Sequence, residues 1–266
     1  MSDPVSLTDR AVIRLSGDDR HAFLQGLITQ DMDRLADAPA AFAALLTPQG
    51  KILFDFFVVK GSDALLIDCR KDAAPALLKR LSLYKLRAKV ALAIAEDQKI
   101  IVGAEMTSGG FVDPRNAALG WRAIASGDFS EDESYDRRRI ATGVPEFGKD
   151  FSSDEMFLTD VNYDALNAVS YKKGCFIGQE VSSRMKRKGE IRRRTLIAEF
   201  DGPPPAKGAS VAAGDSTLGE IMSGTDGRAL AAIRLDRWEK AKAAGMPVTC
   251  EGRELRLVVP GALEAV

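Results

Sequence analysis

The sequence predicts an α+β protein that ends in a small β-barrel or sandwich, and three observations carry that expectation. Residues 41–105 contain a strand–strand–helix–strand–strand order, which suggests an antiparallel sheet with a helix on one face. From Thr195 onward, short apolar strands alternate with Gly, Pro and Asp turns. The chain of 266 residues is 45% apolar and 28% charged, enough for one large domain or two to three small lobes and too apolar for a disordered chain. Its 23 glycines and 11 prolines are too few for a collagenous or low-complexity one.

The elements follow in order. Ala11 to Leu15 reads as a strand, and Ser16, Gly17 and Asp18 open a helix bearing Phe23, Leu24, Leu27 and Ile28 at helical spacing. Residues 41–47, 51–60 and 64–69 read as strands, turned by Pro48-Gln49-Gly50 and Gly61-Ser62-Asp63. Asp72 caps a helix carrying Leu77, Leu78 and Leu81, and residues 89–96 and 99–105 form a hairpin. Ser130 and Glu133 make a capping box, with acids in the first turn, Arg137, Arg138 and Arg139 near the end, and Gly143 and Pro145 as the stop. Strands at 195–200, 208–214, 217–224, 228–235, 247–252 and 254–260 complete the chain, with one helical insert at 236–244.

Composition narrows the function classes. A net charge of −1 gives no general case for nucleic acid or membrane as a partner. No apolar run approaches the roughly 20 residues that span a bilayer. The opening MSDPVSLTDR has neither an apolar signal segment nor an Arg/Ser-rich amphipathic stretch. Cys69, Cys175 and Cys250 are far apart, His21 is the one histidine, and no CxxC or HxxxH pair occurs, so no autonomous metal site is expected. An odd number of cysteines in such a chain suggests free thiols in a reducing compartment, and the expectation is a cytoplasmic protein. Nucleotide-phosphate loops and histidine-dependent triads find no support.

Residues 171–194 stand apart. Lys172, Lys173, Arg184, Lys186, Arg187, Lys188, Arg192, Arg193 and Arg194 face only Glu180 and Glu190, a local balance of +7 that leaves the rest of the chain at −8. Such a run is either a solvated face or a site for a polyanion, RNA or an acidic protein. Within it, Cys175 lies between Gly174 and Gly178, where the chain bends freely and leaves the sulfur uncovered. Residues 177–188 read as helix, so the helix N-terminus and the neighbouring Lys172 and Lys173 favour a thiolate. Cys69 and Cys250 sit inside apolar strands and read as small core residues.

The stretch Lys173-Gly174-Cys175-Phe176-Ile177-Gly178-Gln179-Glu180 resembles the KGCYxGQE signature of the YgfZ-type folate-binding proteins. These are relatives of the glycine-cleavage aminomethyltransferase (T-protein) and act in iron–sulfur cluster assembly or repair. Residues 23–31, 49–58 and 138–150 and the closing Gly-Glu-Ile-Met-Ser and Ala-Leu-Ala-Ala-Ile-Arg stretches fit the same family. The resemblance implies a three-lobed cloverleaf around a tetrahydrofolate channel. It assigns 1–48 and 112–192 to a discontinuous first lobe, 49–111 to an inserted ββαββ lobe and 193–266 to a C-terminal β-barrel.

The same resemblance implies the site. Cys175 is its chemical centre, contacting a cluster, a persulfide or a damaged client site. Lys173 tunes the thiolate, Gly174 and Gly178 set the loop, and Phe176, Gln179, Glu180 and Arg184 belong to the motif and anchor its exit helix. Asp55 and Arg87 line the folate channel. The cofactor is tetrahydrofolate or a one-carbon derivative without a permanently bound metal, and the partners are iron–sulfur client or assembly proteins. Three positions depart from the pattern. Phe176 replaces the signature tyrosine, and Phe54 and Ala141 stand where the aminomethyltransferases carry acids, which weakens proton handling at a folate. Two alternatives stay open: a folate-dependent aminomethyl or methyl transferase, and a binding module for RNA or an acidic protein that uses the basic segment.

Overall fold

A computed structural model describes residues 4–106, 109–188 and 191–264. In chain order it contains β1 (Val5–Ser6), β2 (Arg10–Ser16), α1 (Arg20–Gln25), a 3-10 turn (Met32–Ala36), β3 (Ala40–Leu46), β4 (Ile52–Lys60), β5 (Ala64–Arg70), α2 (Ala74–Tyr84), β6 (Ala91–Ile94) and β7 (Lys99–Gly103). There follow β8 (Phe111–Val112), β9 (Trp121–Ala125), α3 (Ser134–Ala141), α4 (Gln179–Lys188), β10 (Arg193–Glu199), β11 (Ser210–Ala213), β12 (Ser216–Thr225), β13 (Arg228–Arg234), α5 (Leu235–Ala243), β14 (Val248–Cys250), β15 (Arg253–Val258) and α6 (Gly261–Glu264).

The strands form three layers: a sheet ordered β3-β4-β5-β2-β6, a smaller sheet ordered β1-β7-β9-β8, and a closed barrel β10-β13-β12-β11-β14-β15. The predicted α+β class and terminal barrel are therefore present. Every residue of β3 is buried, an alanine-rich strand covered on both faces although it lies at a sheet edge. That edge is closed rather than left as a pairing template. The Thr29 amide donates to the Ala44 carbonyl at 2.9 Å, and the Ala44 amide donates to Thr29 Oγ1 at 2.8 Å.

Several local expectations are corrected. The 89–96/99–105 hairpin does not form: β6 pairs with β2, whereas β7 pairs with β1 and β9. Burial explains the split, because β6 is largely exposed while Ile100 and Val102 of β7 pack with Val5, Val12 and Tyr135. Asp72 does not cap α2, since its carboxylate is taken by Arg70 at 3.0 Å. The capping box at Ser130 is also not used. Ser6 donates to the Ser130 carbonyl at 2.7 Å, which holds Ser130 beside β1, and α3 starts at Ser134 with Asp132 accepting from its amide at 2.8 Å. The β3–β4 hairpin, paired from Ala40↔Val59 to Leu46↔Ile52, spans residue 48, and β8 spans residues 111 and 112.

Residues 142–178 contain neither helix nor strand, yet Val144, Phe151, Leu158, Val161, Tyr163 and Ala168 are buried in the main core. Asp154, Asn162 and Asn167 take positive φ, the left-handed conformation that Asn and Asp tolerate best after glycine. Side chains fix the segment's course: Thr29 Oγ1 donates to the Ala168 carbonyl at 2.6 Å, and Asn162 Nδ2 donates to the Thr195 carbonyl at 2.7 Å. This packed, irregular chain delivers the cysteine motif.

Candidate functional site

The motif loop is built from two anchors with a raised segment between them. Lys173 is buried, and its ammonium donates to the carbonyls of Gln25, Ile28 and Gln30 at 2.7, 2.8 and 2.9 Å. An ammonium has three N–H donors, so all three are engaged. Burial brings its pKa down to about 8, with Asp31 and Asp33 opposing. Phe176 is the second anchor, buried in the main core with its ring centroid 5.5 Å from Lys173 Nζ. Gly174 and Cys175 between them are exposed.

The far end of the loop is held by a glycine pair. Gly178 has φ +78°, and a Cβ there would lie 2.6 Å from the Thr47 carbonyl oxygen and 3.2 Å from Gly50 Cα. Gly50, at φ +85°, turns between β3 and β4, and a Cβ on it would meet Val181 of α4 at 3.1 Å. Glycine is needed at both positions because the β3–β4 turn lies directly against the start of α4. Gly174 differs, with open space around its would-be Cβ and no positive φ. Only at Gly178 does the fold itself demand the bracket.

The other expected residues do not all converge. Gln179 and Glu180 open α4, and Arg184 is exposed one turn on. Asp55 is enclosed within β4: Tyr163 donates its hydroxyl to Oδ2, whereas Oδ1 has no hydrogen-bond partner. Burial raises the Asp55 carboxyl pKa against the opposing charge of Arg10. Arg87 is exposed in the turn after α2, whereas Asp55 is buried. Phe54 is buried with its ring 6.2 Å from that of Phe147, while Ala141 is exposed beside a cavity of about 770 Å³ between α3 and the β12–β13 hairpin.

The basic segment is divided. Lys173 is used internally, and Arg194 is buried in a bidentate pair with Asp164 at 2.5 and 2.8 Å. Lys172, Arg184, Lys186 and Arg187 remain exposed. Glu190 and the Lys188 side chain lie outside the described residues.

A buried ionic cluster went unread in the sequence. Asp68 accepts from Arg10 at 2.6 Å and lies 3.0 Å from Arg122, and Glu146 lies 3.4 Å from Arg10 and 3.8 Å from Arg139. Arg139 also pairs with Asp150 at 2.7 Å, and Arg115 with Asp113 at 2.7 Å. Burial opposes ionisation of Glu146, but Arg10, Lys149 and Arg139 hold it well below the usual carboxylate range. The available signal was a lone arginine inside an apolar strand, as in Trp121-Arg122-Ala123-Ile124. Arg139, expected to serve the helix dipole, instead joins α3 to this cluster.

Residues 192–265 match the family described as CAF17, C-terminal beta-barrel domain, which coincides with β10 to α6. The fold superposes on the glycine cleavage system aminomethyltransferase T of Bartonella henselae with a TM-score of 0.76, covering 97% of this chain and 85% of that one at 16% identity. In sequence, the chain is 29% identical to the mouse mitochondrial iron–sulfur cluster assembly factor IBA57 over 86% of its own length and 76% of that protein. The human protein gives 28% over 85% and 76%. Against the Neurospora crassa homologue the identity is 29%, and the chain spans 54% of that protein's length. These relatives are mitochondrial proteins, which overturns the cytoplasmic expectation. That expectation rested on free thiols and an unremarkable opening segment, and free thiols fit any reducing compartment. The chain is thus similar over most of its length to the IBA57 iron–sulfur cluster assembly factors, adopts the aminomethyltransferase T fold and ends in a barrel that matches the CAF17 C-terminal family.

Proposed function

We propose that this protein supports assembly or repair of iron–sulfur clusters in client enzymes, with the Cys175 thiol as its chemical centre. The observation that carries the reading is the exposed sulfur held between buried Lys173 and Phe176. A sulfur on a short, anchored loop meets a partner's metal or sulfur without costly backbone reordering. One thiol is a single ligand of the four a cluster normally takes, so a cluster at this site is shared with the partner's ligands and transient. Lys173 acts by fixing the loop to the α1 region, since its donors are engaged by carbonyls.

The test is rescue of a radical-type 4Fe–4S enzyme's activity in bacteria lacking their own homologue. Rescue by the wild-type chain and not by Cys175→Ala is the expected result. Equal rescue by both removes Cys175 from the mechanism. No rescue by either folded protein sinks the cluster role itself.

Tetrahydrofolate is a separate part of the proposal, and the residues fit it only partly. The free Oδ1 of Asp55 is an acceptor of the kind a pterin's N–H groups require, whereas Arg87 is exposed to solvent. When bound, the folate would supply a one-carbon carrier, and Asp55 would hold its pterin. Calorimetric titration with tetrahydrofolate checks this: binding by the wild type that is lost in Asp55→Asn is expected, and equal binding by both removes Asp55. Phe54 packed on Phe147 supplies no acid there, so no aminomethyl transfer is expected.

A further inference from the structure

At the two ends of the motif loop, Tyr171 and one side of α4 form a groove of about 410 Å³. Gln179, Ser183 and Lys186 line it at helical i, i+4, i+7 spacing, flanked by Glu180 and Arg187. Tyr171 and Gln179 each stand four residues from Cys175, on opposite sides, so the groove adjoins the loop that carries the sulfur. Lys186 Nζ sits 4.4 Å from the Tyr171 ring centroid, which gives the groove an aromatic wall with a cation over it. Lys172 and Arg184 add exposed positive charge nearby, while the rest of the chain carries a net negative one.

Building on the proposed thiol role, we propose that this groove docks an acidic polypeptide segment of the partner whose metal or sulfur Cys175 meets. Charge complementarity raises the encounter rate and sets the partner's orientation, and the neighbouring sulfur then performs the chemistry. Carboxylates pair with Lys186 and Arg187, and Glu180 disfavours wrong registers by repelling a misplaced carboxylate. The groove thus selects the partner, a role separate from the reaction at the sulfur.

Two short cysteine peptides, one Asp/Glu-rich and one Lys-rich, each capped as a thiopyridyl disulfide, provide the probes. Cys175 attacks the peptide sulfur, a new S–S bond forms to the peptide, and thiopyridone leaves and is followed by absorbance. The acidic peptide is expected to react about 10-fold faster than the basic one at low salt, an advantage that collapses as salt rises. The Lys186→Glu/Arg187→Glu double variant should erase or invert the preference, with unchanged rates toward neutral dithiodipyridine. Equal peptide rates, or a preference indifferent to the double variant, overturn the docking proposal. Competition by an oligoribonucleotide at far lower charge concentration than by the acidic peptide overturns it in favour of RNA. Loss of all reaction, dithiodipyridine included, condemns the thiol role instead, so the two failures are told apart.

Discussion

At the scale of single residues, the structure separates three cysteines that composition alone treats alike. Cys175 is exposed, whereas Cys69 and Cys250 are buried, and burial pushes the Cys69 thiol up to about 12. Iodoacetamide on the folded protein should therefore alkylate Cys175 and spare the other two until denaturant is added. Peptide mass spectrometry checks this, and early labelling at Cys69 or Cys250 would contradict the packing. Lys173 makes a sharper case. Replacing it by Met leaves three carbonyls without their donor, and removal of the buried ammonium's own desolvation penalty offsets only part of that loss. A cost of about 2–4 kcal/mol is expected in urea unfolding. Lys173→Arg should not restore it, because a planar guanidinium cannot aim three donors into a site shaped for an ammonium. Full rescue by Arg would mean that charge near the sulfur, rather than anchoring, is what the position supplies. The lysine's presence in the motif was plain in the sequence, but its direction was not. Its three acceptors lie more than 140 residues earlier in the chain.

At the scale of elements, the two motif glycines make opposite predictions. Gly178→Ala forces a Cβ to 2.6 Å from the Thr47 carbonyl at φ +78°, so it should cost about 2–3 kcal/mol or displace the loop from the β3–β4 turn. Gly174→Ala enters open space and should stay within about 0.5 kcal/mol. Paired thermal melts decide, and comparable losses at both positions would refute the docking of turn on helix. The ionic cluster makes an acid prediction. Glu146 joins the 142–178 segment to Arg10 of β2 and Arg139 of α3. Its folded pKa is depressed below an unfolded value near ~4.3, so its contribution is complete above about pH 5 and fades as pH falls. Glu146→Gln should be less stable at pH 7 by about 3–5 kcal/mol and show a flatter decline below pH ~5. An unchanged acid limb would exclude Glu146 from the linkage. What the sequence revealed at this scale follows from periodicity. Strands β2 to β5, helices α2 and α5 and the barrel strands carry regular apolar patterns and were legible. The 142–178 segment has none, because side-chain hydrogen bonds from distant residues such as Thr29 hold it. The β6–β7 hairpin misled because adjacency in sequence outweighed the unequal burial of its two strands.

At the scale of the whole molecule, the barrel is both a unit and a wall. Along β10, Leu196 and Ala198 point into the barrel's own core while Ile197 joins the main core of the chain. Along β13, Ala229, Ala231 and Ile233 face inward while Leu230 and Ala232 join the main core. This is the two-residue alternation of a strand with apolar surroundings on both faces. Polar groups cross the same boundary: Arg139 donates to Ser223 Oγ at 2.9 Å, and Arg194 pairs with Asp164. Separating the barrel would therefore expose Ile197, Met222 and Leu230 and break a buried ion pair, which costs more than a transient domain interface sustains. The chain should accordingly unfold in one calorimetric transition, with a calorimetric-to-van't Hoff enthalpy ratio of about 1, although its barrel matches a family of its own. The isolated 192–265 fragment should be poorly soluble or only marginally folded. Two resolved endotherms, or a fragment as stable as the parent, would show that the barrel's outward face is not held by the main core. Cooperativity also bears on the thiol. The Lys173 and Gly178 anchors belong to the same packed body as β10 and β13, so barrel-face substitutions such as Leu230→Ala should raise alkylation of buried Cys69 only through global unfolding and leave the folded-state rate at exposed Cys175 unchanged. A rise at Cys175 alone, under conditions where Cys69 stays protected, would reveal an independent opening of the motif loop.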